Sequence, residues 1–268
     1  MKLYVSSSLL WAYEPNDVIK LAKQFHFSGV EIWAEHVWHY QASIRSILQA
    51  QQDYELELSL HAASWDLNIA SINKGVRQQS IIEIEKSLVL AKELNATNVT
   101  IHPGRRTLQD EWKEKHEQLL IENLQALADK ADRLGVTLSI ELMEPIQKEF
   151  ITEPPSMNYL LNHLPENVHT TFDVAHVPLT ADPIDYFRQL NRINKVHISD
   201  STEDAYHVPL GKGSIKLERI LEELVSSNLP VVVEGFDNNR SLSKLQQNLS
   251  YLSNPSILRR ESVENFSY

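Results

Sequence analysis

Short runs in which aliphatic and polar residues take turns recur along the whole chain, and longer stretches rich in Leu, Ala, Glu and Lys separate them. Alternation is the period of a strand, whose successive side chains point to opposite faces. It marks residues 3–8 (LYVSSS), 30–33 (VEIW), 55–61 (ELELSLH), 98–102 (NVTIH), 137–142 (TLSIEL), 169–173 (HTTFD), 193–199 (INKVHIS) and 230–234 (PVVVE). The stretches between them, 71–94 and 110–134 most plainly, have helix-forming composition. Helix stops stand at Leu134-Gly135 and at Asn228-Leu229-Pro230. Eight units over 268 residues leave about 33 each, the length of a strand plus its return helix. Strict alternation with no Pro/Gly/Ser linker implies a parallel sheet with right-handed crossovers, and eight units favour closure over an open sheet. The predicted fold class is α/β, a single (β/α)8 barrel over residues 1–253 with a polar tail at 254–268.

The polar positions of these strands share a parity. In the third strand Leu56, Leu58 and Leu60 oppose Glu57, Ser59 and His61; in the fourth, Val99 and Ile101 oppose Asn98, Thr100 and His102. In the fifth, Leu138, Ile140 and Leu142 oppose Thr137, Ser139 and Glu141; in the sixth, Phe172 and Val174 oppose Thr171 and Asp173. In the seventh, Val196 and Ile198 oppose Lys195, His197 and Ser199, and the eighth ends on Glu234, two after Val232. If the aliphatic stripe packs on the outer helices, the other stripe points into the barrel. His61, His102, Glu141, Asp173, His197 and Glu234 then converge at the C-terminal mouth, where barrel enzymes keep their chemistry. Any one of them is explained equally well as a solvated strand end or a helix cap; six in register are not.

Three imidazoles and three carboxylates buried together need a counter-charge, which a divalent cation supplies. The chain has no cysteine, which removes thiolate zinc sites, iron–sulfur clusters and disulfides. The remaining nitrogen and oxygen donors suit Zn, Mn, Co, Ni or Fe(II), and are too nitrogen-rich for a dedicated Ca or Mg site. With 25 Lys and Arg against 36 Asp and Glu the net charge is −11, which argues mildly against a general nucleic-acid binder. The first residues make a poor secretory signal, and no apolar run reaches the roughly 18 residues of a membrane span, so a cytoplasmic protein without a membrane partner is expected.

At GVEIW (29–33), LHAASWDLNIAS (60–71), VTIHPG (99–104), LSIEL (138–142), FDVAH (172–176), VHISDS (196–201), HVPLGKGSI (207–215) and VVVEGF (231–236) the chain resembles the xylose-isomerase-like TIM barrels. That group includes sugar-phosphate isomerases and epimerases and the endonuclease IV-type apurinic-site nucleases. The pieces run in family order across nearly the whole chain. The isomerase/epimerase pattern implies that Glu141, Asp173, His197 and Glu234 hold one ion, with Mn, Zn or Co preferred. It implies a sugar, sugar phosphate or related polyol as substrate, with Glu141 and Glu234 exchanging protons on its opposite faces. His176 would orient or stabilise a substrate oxygen, and His207 is a second candidate for that work.

The nuclease pattern implies two or three zinc ions: His61, His102 and Glu141 on one, Glu141 bridging to Asp173, His197 and Glu234, and a third on His176, His207 and an Asp two residues earlier. That place is Ala205 here, with Asp204 adjacent, and Leu-Met-Glu-Pro (142–145) replaces the nuclease's glycine-containing turn. These departures favour the small-molecule reading. A metal- or ligand-binding barrel without turnover is the third reading.

Around the mouth, Arg105 and Arg106 follow His-Pro-Gly and are placed to grip a phosphate or carboxylate, or to be a solvated loop pair. Trp33 and Trp65 are candidate walls for a sugar ring, with ordinary packing as the competing explanation. Gly211-Lys212-Gly213 reads as a tight loop, lacking the spacing of a phosphate cradle. His36 and His39 are expected to be solvated, and His26, His116, His163 and His169 structural or solvated. Oligomeric state is not written in the sequence, and a homo-oligomer stays open.

Overall fold

The computed structural model describes residues 1–108 and 111–254. Its strands are β1 (Lys2–Ser6), β2 (Gly29–Trp33), β3 (Glu57–His61), β4 (Asn98–Ile101), β5 (Thr137–Glu141), β6 (Val168–Asp173), β7 (Ile193–Ile198) and β8 (Pro230–Val233). All neighbours pair in parallel, and β1 pairs with β8, so the sheet is a closed barrel in sequence order. Between the strands lie α1 (Pro15–Gln24), α2 (Ala34–His39), α3 (Ile44–Tyr54), α4 (Lys74–Glu93), α5 (Lys113–Leu134), α6 (Pro154–Leu161), α7 (Pro183–Gln189) and α8 (Leu217–Ser226), with α9 (Ser243–Leu252) after β8. The tail assigned to 254–268 lies outside the described residues except for Asn254. No helix among the described residues is long and apolar enough to cross a membrane.

Each expected strand is present within two residues of its expected ends. The 3–8 run is shorter, because the Ser6 hydroxyl accepts the Ser8 N–H and turns Ser7–Leu10 into a 3-10 helix. The helices begin later than composition implied. Asn73 caps α4 by accepting the N–H groups of Gly75 and Val76, so helix starts at Lys74 and not at 71. α5 starts at Lys113 and stops where expected, with Gly135 in the left-handed region at φ 71.

The two stripes of each strand go to different places. Val99, Ile101, Leu138, Ile140, Val196 and Ile198 join one continuous core with Leu88, Leu120, Leu124 and Ile220 of the helices. The other stripe fills the lumen with hydrogen-bonded polar groups. Tyr4 donates to Glu57 at the N-terminal end (2.5 Å), Thr100 bonds Thr171 across the barrel (2.8 Å), and Ser139 donates to Asn194 (2.9 Å). Between β6 and β7 the register slips by one: Thr170 pairs with Ile193, but Thr171 pairs with Lys195. The extra residue, Asn194, sets Asp173 directly across from His197.

Candidate metal centre

The C-terminal ends of five strands converge on one cluster. His61 closes β3, Glu141 closes β5 and Asp173 closes β6, while His197 sits one residue inside the end of β7 and Glu234 one past β8. All five are buried. His102, one past β4, keeps its side chain 32% exposed. Ligand-capable atoms of Glu141, Asp173, His197 and Glu234 lie within 4.8 Å of one another. The same spacing groups His61 with His102 and Glu141, and Asp173 with His176 and His207.

The imidazoles are held with one nitrogen tied and the other facing the carboxylates. His61 Nδ1 donates to the Ala62 carbonyl (2.8 Å), leaving Nε2 3.2 Å from Glu141. His176 Nδ1 donates to the Leu142 carbonyl (2.8 Å), and its Nε2 faces Asp173 at 3.6 Å, Glu144 at 3.5 Å and His207 at 3.2 Å. His197 Nδ1 lies 2.7 Å from Glu234 and 3.2 Å from Glu141. Its Nε2 lies 2.8 Å from Glu31, a buried carboxylate ion-paired to Lys195. Tying the outer nitrogen fixes the ring and its tautomer, which is how metal-ligating histidines are held.

Charge in this cluster is poorly balanced by protein alone. Burial pushes Asp173 up to about 6, with Glu234 and Glu141 adding to the rise against His176 and His207. Burial opposes the charge on Glu234 too, but His197 outweighs it and brings the group down to about 2. The neighbouring carboxylates overcome burial at the histidines as well, raising His176 to about 9 and His197 well above its usual value. Among the described residues, imidazolium is the positive charge that these carboxylates meet. Asp173 Oδ2 and Glu234 Oε2 still lack a well-formed hydrogen bond. A divalent cation fits: the donors are the right types, they are gathered, and they are short of positive charge.

Glu234 and His207 of the cluster line a cavity of about 610 Å3 together with Ser8, Trp33, Trp65, Tyr206, Gly235 and Phe236 among others. Trp33 stacks flat on His61 at 4.0 Å. Trp65, 48% exposed, meets Trp33 at 6.0 Å, Phe236 at 6.2 Å and the buried Trp11 at 5.0 Å. Its loop is pinned by Glu35, which accepts the N–H groups of Ser64 (2.5 Å) and Trp65 (3.2 Å).

Of the residues singled out in the sequence, His61, His102, Glu141, Asp173, His176, His197, His207 and Glu234 come together, and Trp33 and Trp65 stand over them. Arg105 does not line the cavity; it is exposed on the loop after β4, with its backbone held by Asn68. Asp204 is exposed, and it is Asp173 that groups with His176 and His207. His36, expected in solvent, is buried: its ring stacks on Trp11 at 4.5 Å, its Nε2 reaches the Tyr13 carbonyl, and burial lowers it to about 4. His39 is exposed and His116 buried against the Ala70 carbonyl. In the Gly211-Lys212-Gly213 loop both glycine N–H groups go to Asp200 and that of Lys212 to the Pro209 carbonyl, so the loop offers none to a phosphate. Sequence reasoning missed Phe236, Tyr206, Trp11 and the Glu31–Lys195 pair. Only the last had a signal, since Lys195 shares the parity of His197 and Glu31 that of Trp33.

A model of the xylose isomerase-like TIM barrel family matches residues 19–255. The chain belongs to that family. Within it, an uncharacterised protein of Methanocaldococcus jannaschii is 26% identical over 98% of this chain and 94% of its own length. A fructoselysine 3-epimerase of Shigella flexneri is 22% identical over 91% and 89% respectively. Among solved structures, a D-tagatose 3-epimerase-like protein superposes with a TM-score of 0.79 at 24% identity, covering 94% of this chain and 97% of the other. That likeness places the chain in the fold of this xylose isomerase-like family.

One titration beside the centre is open to measurement. Glu149, after β5, is pushed up to about 7 by burial and by Glu144, against a weaker pull from His102 and Arg105. The folded protein then holds a proton that the unfolded chain gives up near its ordinary 4.5. Stability from this group is present below that value and lost as pH rises towards 7. Glu149→Gln should remove the loss and gain about 1–3 kcal/mol at neutral pH relative to pH 4.5, read from denaturant midpoints at both values.

Proposed function

We propose that this protein is a divalent-metal-dependent isomerase or epimerase acting on a sugar, sugar phosphate or related polyol, with Glu141 and Glu234 as the proton-transferring pair. The observation that carries it is two buried carboxylates sharing one donor cluster with Asp173 and His197 beside an aromatic-walled cavity. The resemblance to named sugar epimerases across nearly the whole chain supports the same reading. Glu141, Asp173, His197 and Glu234 would hold the ion, with Mn, Zn or Co suiting their donors. When bound, the ion withdraws charge from a substrate carbonyl or hydroxyl.

The rest is work for the side chains. One glutamate takes the proton from the carbon beside the carbonyl, and the electron pair of that C–H bond moves onto the carbonyl oxygen. The other glutamate returns a proton from the opposite face, which inverts the centre. His176, tied at Nδ1 to Leu142, presents Nε2 to a substrate oxygen. His207, held by Ser199 at 3.0 Å, stands beside it. Trp33 and Trp65 give a sugar ring an apolar wall.

The groupings of His61 with His102 and of Asp173 with His176 and His207 favour a second reading, a zinc phosphodiesterase cleaving DNA at abasic sites. One preparation purified without chelators separates the two. The isomerase reading expects about one metal equivalent and deuterium uptake from heavy water at a carbon next to the carbonyl of some ketose. Two or three zinc equivalents, nicking of an abasic duplex and no deuterium uptake would replace it with the nuclease.

A further inference from the structure

Below the cluster, one layer down the barrel axis, the lumen holds a lysine and a glutamate that the proposed chemistry does not use. Glu31 on β2 and Lys195 on β7 are both almost fully buried. Lys195 Nζ bonds Glu31 Oε2, and the Ser59 hydroxyl donates to the same oxygen at 3.2 Å. Glu31 Oε1 is left over, and it faces His197 Nε2 at 2.8 Å. Neither of these two atoms has a well-aligned hydrogen bond to anything else. At that separation the imidazole N–H lies off the line to the carboxylate.

Two buried charges are a poor way to fill a barrel. Apolar side chains of the same size often do so at equal or lower free-energy cost, because the attraction gained in the interior barely repays the hydration that each ion gives up. The placement of this pair says what it is for. Lys195 lies two residues before His197 on the same face of β7, and its charge is answered by the carboxylate that abuts the far nitrogen of that histidine. An ionised, neutralised acceptor at Nε2 leaves Nδ1 as the nitrogen with a free lone pair. Nδ1 is the atom that faces Glu234, Glu141 and Asp173.

We propose that Glu31 and Lys195 are positioning residues for the metal centre: Glu31 accepts the Nε2–H of His197, fixing the tautomer that offers Nδ1 to the cation, and Lys195 keeps Glu31 charged without adding net charge beneath the site. The inference rests on reading the cluster above as a metal site. Both residues are buried, and neither lines the cavity. A carboxylate behind a ligating histidine makes the ring a better donor, and losing such a partner typically costs about 10–100-fold in metal affinity.

The test uses Zn2+ as the probe and the double variant Glu31→Leu/Lys195→Met, which removes both charges at once and keeps the lumen filled. Zn2+ affinity is read by competition with a chromophoric chelator, stability by thermal melting, and the protonated nitrogen of His197 by 15N spectra of histidine-labelled, Zn2+-loaded protein. The expected result is a melting temperature close to the parent's, Zn2+ affinity lower by about 10–100-fold, and loss of the Nε2-protonated signature that the parent shows. Glu31→Gln/Lys195→Met, whose amide oxygen still accepts from Nε2, should recover most of the affinity. A Glu31→Leu/Lys195→Met protein that binds Zn2+ like the parent overturns the proposal and leaves the pair as filling. A parent protein that binds no Zn2+ overturns the metal reading itself, and the positioning role with it.

Discussion

Glu141→Gln and Glu234→Gln should each slow interconversion of the two sugar epimers by about a thousandfold, within the range lost when a positioned acid or base is removed. The amide keeps the shape of the side chain and cannot take a proton. The two variants should differ in what survives. With Glu141 replaced, Glu234 still faces one side of the substrate, so one epimer still trades its C–H proton with solvent while the other does not. With Glu234 replaced, the susceptible epimer is the opposite one. Deuterium uptake followed separately for each epimer reads this directly, with metal content measured alongside because both residues belong to the same donor group. Uptake by both epimers in both variants would show that the proton-transferring pair lies elsewhere.

The largest expected effect on stability lies beside the cluster, at Asp200. This buried carboxylate accepts four backbone N–H groups: Ser201 at 2.9 Å, Gly211 at 3.1 Å, Gly213 at 2.9 Å and Ile215 at 3.1 Å. It gathers the loop that carries His207, and its own backbone pairs with Val208 in both directions at 2.9 Å. Asp200→Ala strands those donors at once. Bonds to a charged acceptor are worth about 1.5–3 kcal/mol each, and the loop relaxes to recover some, so a net loss of about 3–5 kcal/mol is expected. Asp200→Asn keeps one acceptor oxygen and should lose roughly half as much. Urea unfolding checks this: the midpoint should fall at unchanged slope. A change of under about 1 kcal/mol would mean that water serves the N–H groups as well as Asp200 does.

The barrel was legible because alternation is a short-range signal, and eight repeats of it leave little freedom in how the chain closes. The rim cluster was legible for the same reason: His61, Glu141, Asp173 and His197 announce their direction through the aliphatic residues beside them. What sequence does not carry is which inward residues meet across the lumen. Glu31 and Lys195 are 164 positions apart and join only when β2 and β7 face each other through the barrel. The aromatic wall was half visible, because Trp33 and Trp65 flank β2 and β3, whereas Trp11, Tyr206 and Phe236 arrive on loops with no period. His36 went astray for a related reason. The segment after β2 is not an open loop but the helix α2, which lays that ring against Trp11. The late start of α4 is a capping effect of Asn73, and α5 starts after Trp112 in the left-handed region; helix propensity encodes neither.

The one-residue slip between β6 and β7 has an evolutionary corollary. Were the bulge straightened with every residue kept, the ladder would run Thr171 to Asn194 and Asp173 to Val196, and the strand would present Val196 and Ile198 to the axis in place of Lys195 and His197. A point substitution in this strand alters one donor at a time, and selection can compensate it stepwise. Losing the Asn194 codon would leave Lys195 opposite Thr171 and His197 opposite Asp173, whereas a codon gained or lost between Lys195 and His197 would turn that imidazole away from the axis in a single event while the barrel still closed. Lineages that part by a codon on the far side of the bulge would keep a common architecture and lose this donor from the rim, while those that part at Asn194 would keep both.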